Sequence, residues 1–117
     1  MNKFRELLVW QKGMDLAEEV YAITKGFPVD ERYGLQSQIR RCAVSIASNI
    51  AEGAGRNSGK EFMHFLSIAL GSSFELETQL LLADKFEYIP KGKAAEVIGR
   101  IQEVQKMLNG LQKSIIR

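Results

Sequence analysis

The sequence predicts an all-α protein, an antiparallel up-down-up-down four-helix bundle that occupies residues 1–117 as one domain. Three observations predict it. Apolar residues recur at three- and four-residue steps rather than alternating. The chain holds only 2 prolines and is rich in alanine, leucine, glutamate, lysine and glutamine, all good helix formers. Helix-breaking residues gather at three places: Gly26 and Pro28, the run GAGRNSG from Gly53, and the dipeptide Ile89-Pro90. At 117 residues and 45% apolar content, a single core is large enough to hold such a bundle together.

The first helix is expected from Val9 to Lys25, because Val9, Leu16, Val20 and Ile23 share a face, with Phe27 just beyond. Gly26 suits a C-terminal cap and Pro28 cannot extend the helix. The second helix begins between Asp30 and Leu35 and continues to Ala54. Leu35, Ile39, Cys42, Ala43, Ile46 and Ile50 fall within a narrow arc at the helical step. Gly53 and Gly55 relax its end, and Glu52 is placed to pair with Arg56 one turn on.

The third helix opens at Ser58, where Ser-Gly-Lys-Glu reads as a capping box in which Ser58 accepts from the Glu61 amide and Glu61 reaches back. It runs to Phe86, with Phe62, Leu66, Ala69, Ser73, Leu76, Leu80 and Ala83 as its core seam. The fourth follows Pro90, since proline turns its predecessor away from helix and is welcome in a first turn. Its seam of Ala94, Val97, Ile101, Val104, Leu108, Leu111 and Ile115 is the most regular in the chain.

The third helix carries more apolar surface than one bundle needs. Met63, Leu70, Phe74 and Leu81 form a second stripe about 100° round from the core seam. The second helix has another, Arg40, Val44, Ala47 and Ala51, whose small side chains permit close approach by a helix. Either the third helix touches two neighbours within the chain, or copies of the chain pack through these stripes. The second reading is preferred, because a helix apolar around half its circumference is normally covered. A homo-oligomer with Met63, Leu70, Phe74, Leu81, Val44, Ala47 and Ala51 at its interface is therefore expected.

Catalytic readings are weak. His64 and Cys42 are the only strong nitrogen and sulfur ligands, so neither a zinc site nor a di-iron bundle with paired Glu-x-x-His motifs is indicated, and no cofactor is expected. Cys42 lies on the core arc, where cysteine behaves as a small hydrophobe. All-α ribonucleases of the HEPN type place histidine four to six residues after an arginine. Here Arg56 and His64 have seven residues between them, and one histidine cannot serve as both acid and base. Glu75 and Glu77 stand at heights comparable with Arg40 and Arg41 in an antiparallel pair, so interhelical ion pairs are expected rather than acid–base chemistry. The stretch SNIAEGAGRNSGKEF follows a helix and lacks the phosphate-loop frame. It is a helix–helix corner whose residual functional claim is an anion site at Arg56 and Lys60.

Net charge is only +2, yet the charge is uneven. Residues 90–117 carry Lys91, Lys93, Arg100, Lys106, Lys113 and Arg117 against Glu96 and Glu103. Repetition of this basic face in an oligomer would concentrate it into a patch suited to nucleic acid. One cysteine, no leader-like segment and no membrane-length apolar run fit a soluble cytoplasmic protein without membrane or small-molecule partners.

Two segments, LLVWQKGMDLAEEVY and FPVDERYGLQSQIRRCAVSIASNIAEGAGRNSGKEFMHFLSIALGSSFELETQLLLA, resemble the 23S rRNA intervening-sequence proteins, a family of bacterial four-helix bundles. The resemblance implies a homopentamer with a basic surface facing RNA or a nucleoprotein, and no catalytic activity. It extends to the accessory proteins of diversity-generating retroelements, pentamers that bind reverse transcriptase and RNA. This chain departs at Ala47, where family members commonly place proline in Ser-Ile-Pro-Ser-Asn, so the second helix is expected to run straighter here. A non-enzymatic RNA-binding oligomer is the reading carried forward, with an oligomeric protein-binding adaptor as the alternative and a ribonuclease third.

Overall fold

Four helices pack in sequence order in the computed structural model, which describes residues 3–116. They are α1 (Leu8–Ile23), α2 (Leu35–Ala54), α3 (Gly59–Lys85) and α4 (Lys93–Ile116). Single 3-10 turns precede α1 at Phe4–Glu6 and α2 at Val29–Glu31. At 1.5 Å per residue the 27-residue α3 spans about 40 Å. That length sets the long dimension of a 44 × 23 × 20 Å molecule.

Contacts between neighbours run in opposite directions along each pair, which makes every adjacent pair antiparallel. Gly13 meets Ala47 while Thr24 accepts from Arg40 across α1 and α2. Cys42 reaches Ser72 while Gly53 meets Phe62 and Phe65 across α2 and α3. Glu77 accepts from Gln105 while Gly59 faces Ile115 across α3 and α4. Finally, Lys12 pairs with Glu103 and Glu19 with Arg100, closing α4 onto α1. The up-down-up-down bundle expected from the sequence is the observed one.

The seams expected from periodicity form the core. Leu16, Val20, Ile39, Ile46, Ile50, Leu66, Leu76, Leu80, Ile101 and Leu108 are all fully buried at its centre. The helix ends follow local chemistry. The first helix stops two residues earlier than expected, at Ile23. The buried Thr24 turns its hydroxyl back onto the Val20 carbonyl at 2.8 Å and takes a hydrogen bond from Arg40. Ser58 caps α3 by accepting from the Glu61 amide at 3.1 Å, though the return arm from Glu61 does not form. Gly92, at φ 88°, makes the left-handed turn that starts α4, a conformation that suits glycine. Tyr88 packs on Phe27 and donates to Glu31 at 3.1 Å, fastening the α3–α4 connection to the α1–α2 connection. This bond holds the Tyr88 phenol above its ordinary range.

Gly53, in the last turn of α2, has a packing role that the sequence reading did not include. Its φ is not left-handed, and α2 continues past it to Ala54. A Cβ there would stand 2.7 Å from the Phe65 Cβ and 3.3 Å from the Phe62 carbonyl oxygen. Gly53 therefore serves close approach of α2 and α3 just before their corner. Helix α2 runs unbroken through Ala47.

Candidate interaction surfaces

The corner between α2 and α3 is ordered by side chains rather than left open. Arg56 donates to Glu52 at 2.7 Å, the pair expected one helical turn apart, and its guanidinium lies 4.8 Å from the centre of the Phe65 ring. His64 meets the same Phe65 ring edge-on with centroids 5.4 Å apart, and is itself exposed. Of the two residues read as an anion site, Arg56 is thus engaged locally. Lys60 is exposed and makes no side-chain contact of this kind among the described residues.

The expected ion pairs between Arg40 or Arg41 and Glu75 or Glu77 are not formed. Similar height along two helices does not put side chains on facing sides. Arg40 points to α1, donating to Thr24 Oγ1 at 2.9 Å and to the Tyr21 carbonyl at 3.1 Å, with its guanidinium 4.5 Å from the Tyr21 ring centre. Glu77 points to α4, where Gln105 and Gln102 donate to it at 2.9 and 3.4 Å. Arg41 and Glu75 line one shallow recess beside Cys42 without an ion pair. Cys42 itself is buried and donates to the Ser72 carbonyl at 3.0 Å. Burial first, and then the Glu75 carboxylate, push its thiol from 9.0 up to about 12, which leaves it protonated and a poor nucleophile at neutral pH.

The second apolar stripes are only partly free. On α3, Leu70 packs against the core and Met63 is half-buried, its carbonyl accepting from Gln112 of α4. Phe74 and Leu81 remain 52% and 49% exposed, two turns apart on one face. On α2, Ala47 is buried against Gly13 of the same chain, so the close helix approach read from its small side chain is made by α1. This removes Ala47 from the expected oligomer interface. Val44 is 43% exposed, and Ala51 is half-buried. With Trp10, Met14 and Tyr21 these two line an open groove of about 680 Å³ between α1 and α2. Asp15 and Glu18 stand at its rim.

Of the cations expected to form a basic face on the fourth helix, two are spent on neighbours. Lys93 pairs with Glu96 at 3.6 Å, and Arg100 pairs with Glu19 of α1. Lys91, Lys106 and Lys113 are exposed and make no ion pair among the described residues; Arg117 lies outside them. A further group of cations, not read as a cluster from the sequence, lies at the α1–α2 connection. Lys25, Arg32, Arg40 and Arg41 line a recess of about 510 Å³ together with Tyr21 and Tyr33. These residues come from the end of α1, the connection and the start of α2, so the signal is split between segments that the net charge averages away. Among the described residues no three His, Cys, Asp or Glu side chains converge as a metal site, and no helix is long and apolar enough to cross a membrane.

A solved structure of an S23 ribosomal protein family member of unknown function from Bacteroides thetaiotaomicron superposes with a TM-score of 0.83 at 27% identity. The match covers 91% of this chain and 96% of that one. No curated protein matches the sequence. The model of the 23S rRNA-intervening sequence proteins matches residues 5–110, taking in the corner, both apolar surfaces and nearly all of the bundle. The chain belongs to the 23S rRNA-intervening sequence protein family.

Proposed function

We propose that the protein is a non-catalytic, self-assembling helical bundle that binds RNA, alone or in a nucleoprotein, through basic surface repeated around the assembly. The carrying observation is the exposed pair Phe74 and Leu81 on a helix whose core seam at Leu66, Ala69, Leu76, Leu80 and Ala83 is fully buried. Two large apolar side chains held in water on a rigid helix favour burial against another surface. The open α1–α2 groove is a suitable receiver, with Met14, Tyr21 and Val44 along it. A stripe that enters a different surface on the next copy is a heterologous contact, which closes into a ring when the rotation permits. A ring of five is the state that the family resemblance implies.

Assembly multiplies the free cations Lys60, Lys91, Lys106 and Lys113 without new sequence, which supports polyanion binding at a small net charge. Light scattering on purified protein tests the assembly. The native chain is expected to run as an oligomer, and Phe74→Glu and Leu81→Glu are each expected to release folded monomers. Native size unchanged in both variants would remove the α3 stripe from the interface. The groove also favours a second reading, an adaptor that docks a helix of another protein between α1 and α2. In that case the native chain is a monomer and Val44→Glu leaves its size unchanged.

A further inference from the structure

We propose that the recess at the α1–α2 corner is a binding site for single-stranded nucleic acid, in which a base stacks on Tyr33 and flanking phosphates are held by Lys25, Arg32 and Arg41. The inference rests on the nucleic-acid reading above and names where and how the strand is held.

Four cations line the recess, and no acidic side chain is among its lining residues. The nearest acids in sequence do not cancel them. Glu31 turns inward, accepting from the Leu35 amide at 2.9 Å and from Tyr88 at 3.1 Å, and Asp30 is not part of the lining. Lys25, Arg32 and Arg41 are exposed and make no ion pair or side-chain hydrogen bond among the described residues. This sets them apart from Lys12, Arg56, Lys93 and Arg100, each of which has a carboxylate partner. Cations left unpaired beside one another repel, and an approaching polyanion relieves that repulsion while releasing its own counterions.

Two aromatic rings stand among these cations. Tyr33 is 91% exposed and supports no part of the core, so its ring faces are open to a ligand. Tyr21 is held in place by Arg40, which lies over its ring and is anchored to Thr24 and the Tyr21 carbonyl. Arg40 thus acts as a positioning residue, and Lys25, Arg32 and Arg41 keep their donors for a ligand. The recess also opens at the start of the 20-residue α2, whose N-terminal end adds positive potential. Its volume of about 510 Å³ lies within the range of small-ligand sites, about 300–1,000 Å³.

Aromatic faces among unpaired cations are the chemistry by which proteins hold single strands. The rings take base faces that only an unpaired strand presents, and the cations follow the backbone. Stacking does not separate RNA from DNA, so the two are arms of the test. Every base has a π-face, so tolerance of sequence is expected.

The test is fluorescence anisotropy with the full chain and labelled eight-nucleotide oligo-U, oligo-dT and a blunt duplex of equal length. Both single strands are expected to bind at low salt, with RNA favoured only if a 2′-hydroxyl is read. Tyr33→Ala is expected to weaken single-strand binding about five- to a hundredfold, the usual span for one lost stacking platform, while Tyr33→Phe retains it. Arg32→Ala with Arg41→Ala should lower the slope of log affinity against log salt by about 0.7 for each cation removed. Duplex binding should not respond to Tyr33→Ala. Two results overturn the site. Tyr33→Ala could leave affinity within about twofold while Lys106→Ala with Lys113→Ala abolishes it, so that nucleic acid is bound elsewhere. Alternatively, Tyr33→Ala could change the oligomer's mass, which makes the ring a subunit contact. Absence of binding by any strand at low salt overturns this proposal and the nucleic-acid reading together. Tyr33 is on the surface, so circular dichroism and melting of the alanine variant should match the native chain.

Discussion

At the residue scale, the buried thiol shows how position decides chemistry. Cys42 lies on the core arc of α2, donating a hydrogen bond to the Ser72 carbonyl with Glu75 nearby, and its thiol is pushed up to about 12. Two outcomes follow from that. In the native protein the thiol should react with a neutral-pH disulfide reagent far more slowly than in the urea-unfolded chain. The linkage to folding has a definite sign. The unfolded thiol ionises near its ordinary value, and the folded one resists until about 12. Its contribution to stability is therefore complete below about pH 9 and declines as pH rises from there towards 12. The urea midpoint of the native chain minus that of Cys42→Ala, followed from pH 8 to pH 11, should shrink. A constant difference contradicts the assignment. Arg40 teaches a related lesson. Its partner is fixed by the side of α2 on which it stands, so it serves Thr24 and Tyr21 rather than a carboxylate at the same height on α3.

At the scale of elements, the four helices, their order and their core faces were legible in the sequence. Periodicity reports which side of a helix is buried, and breakers report where it stops. Less legible was what each side faces. Small residues at Gly13 and Ala47 signal close approach, but the sequence does not say whether the approaching helix belongs to the same chain; here it is α1. The recess was not legible because Lys25 and Arg32 lie in the α1–α2 connection while Arg41, expected to pair with a carboxylate of α3, lies on α2, and only folding brings them together. Gly53 was legible as a helix-end position, but its close approach to α3 was not. Its hydrogen admits Phe65 and the Phe62 carbonyl, and a methyl group there meets atoms at 2.7 and 3.3 Å. Gly53→Ala should accordingly destabilise the bundle by about 1–3 kcal/mol through overpacking, despite alanine's better helix propensity. Chemical denaturation measures this directly, and a gain in stability would show that α2 and α3 separate freely at that point.

At the scale of the whole molecule, a bundle whose core is complete still keeps two apolar surfaces in water. Phe74 and Leu81 project from α3, and Met14, Tyr21 and Val44 line the α1–α2 groove. A cation-lined recess with an almost fully exposed tyrosine lies where α1 turns into α2. Apolar surfaces that join copies and basic surfaces that meet a polyanion are compatible, because each added copy adds charge without adding affinity per site. The most direct test of this account is sedimentation equilibrium of the purified chain with a labelled single-stranded oligonucleotide, at low and then high salt. The predicted result is a particle several times the 13.2 kDa of one chain that carries the label at low salt, and that sheds the label but keeps its mass at high salt. A 13.2 kDa monomer, or an oligomer that carries no label at low salt, would contradict it.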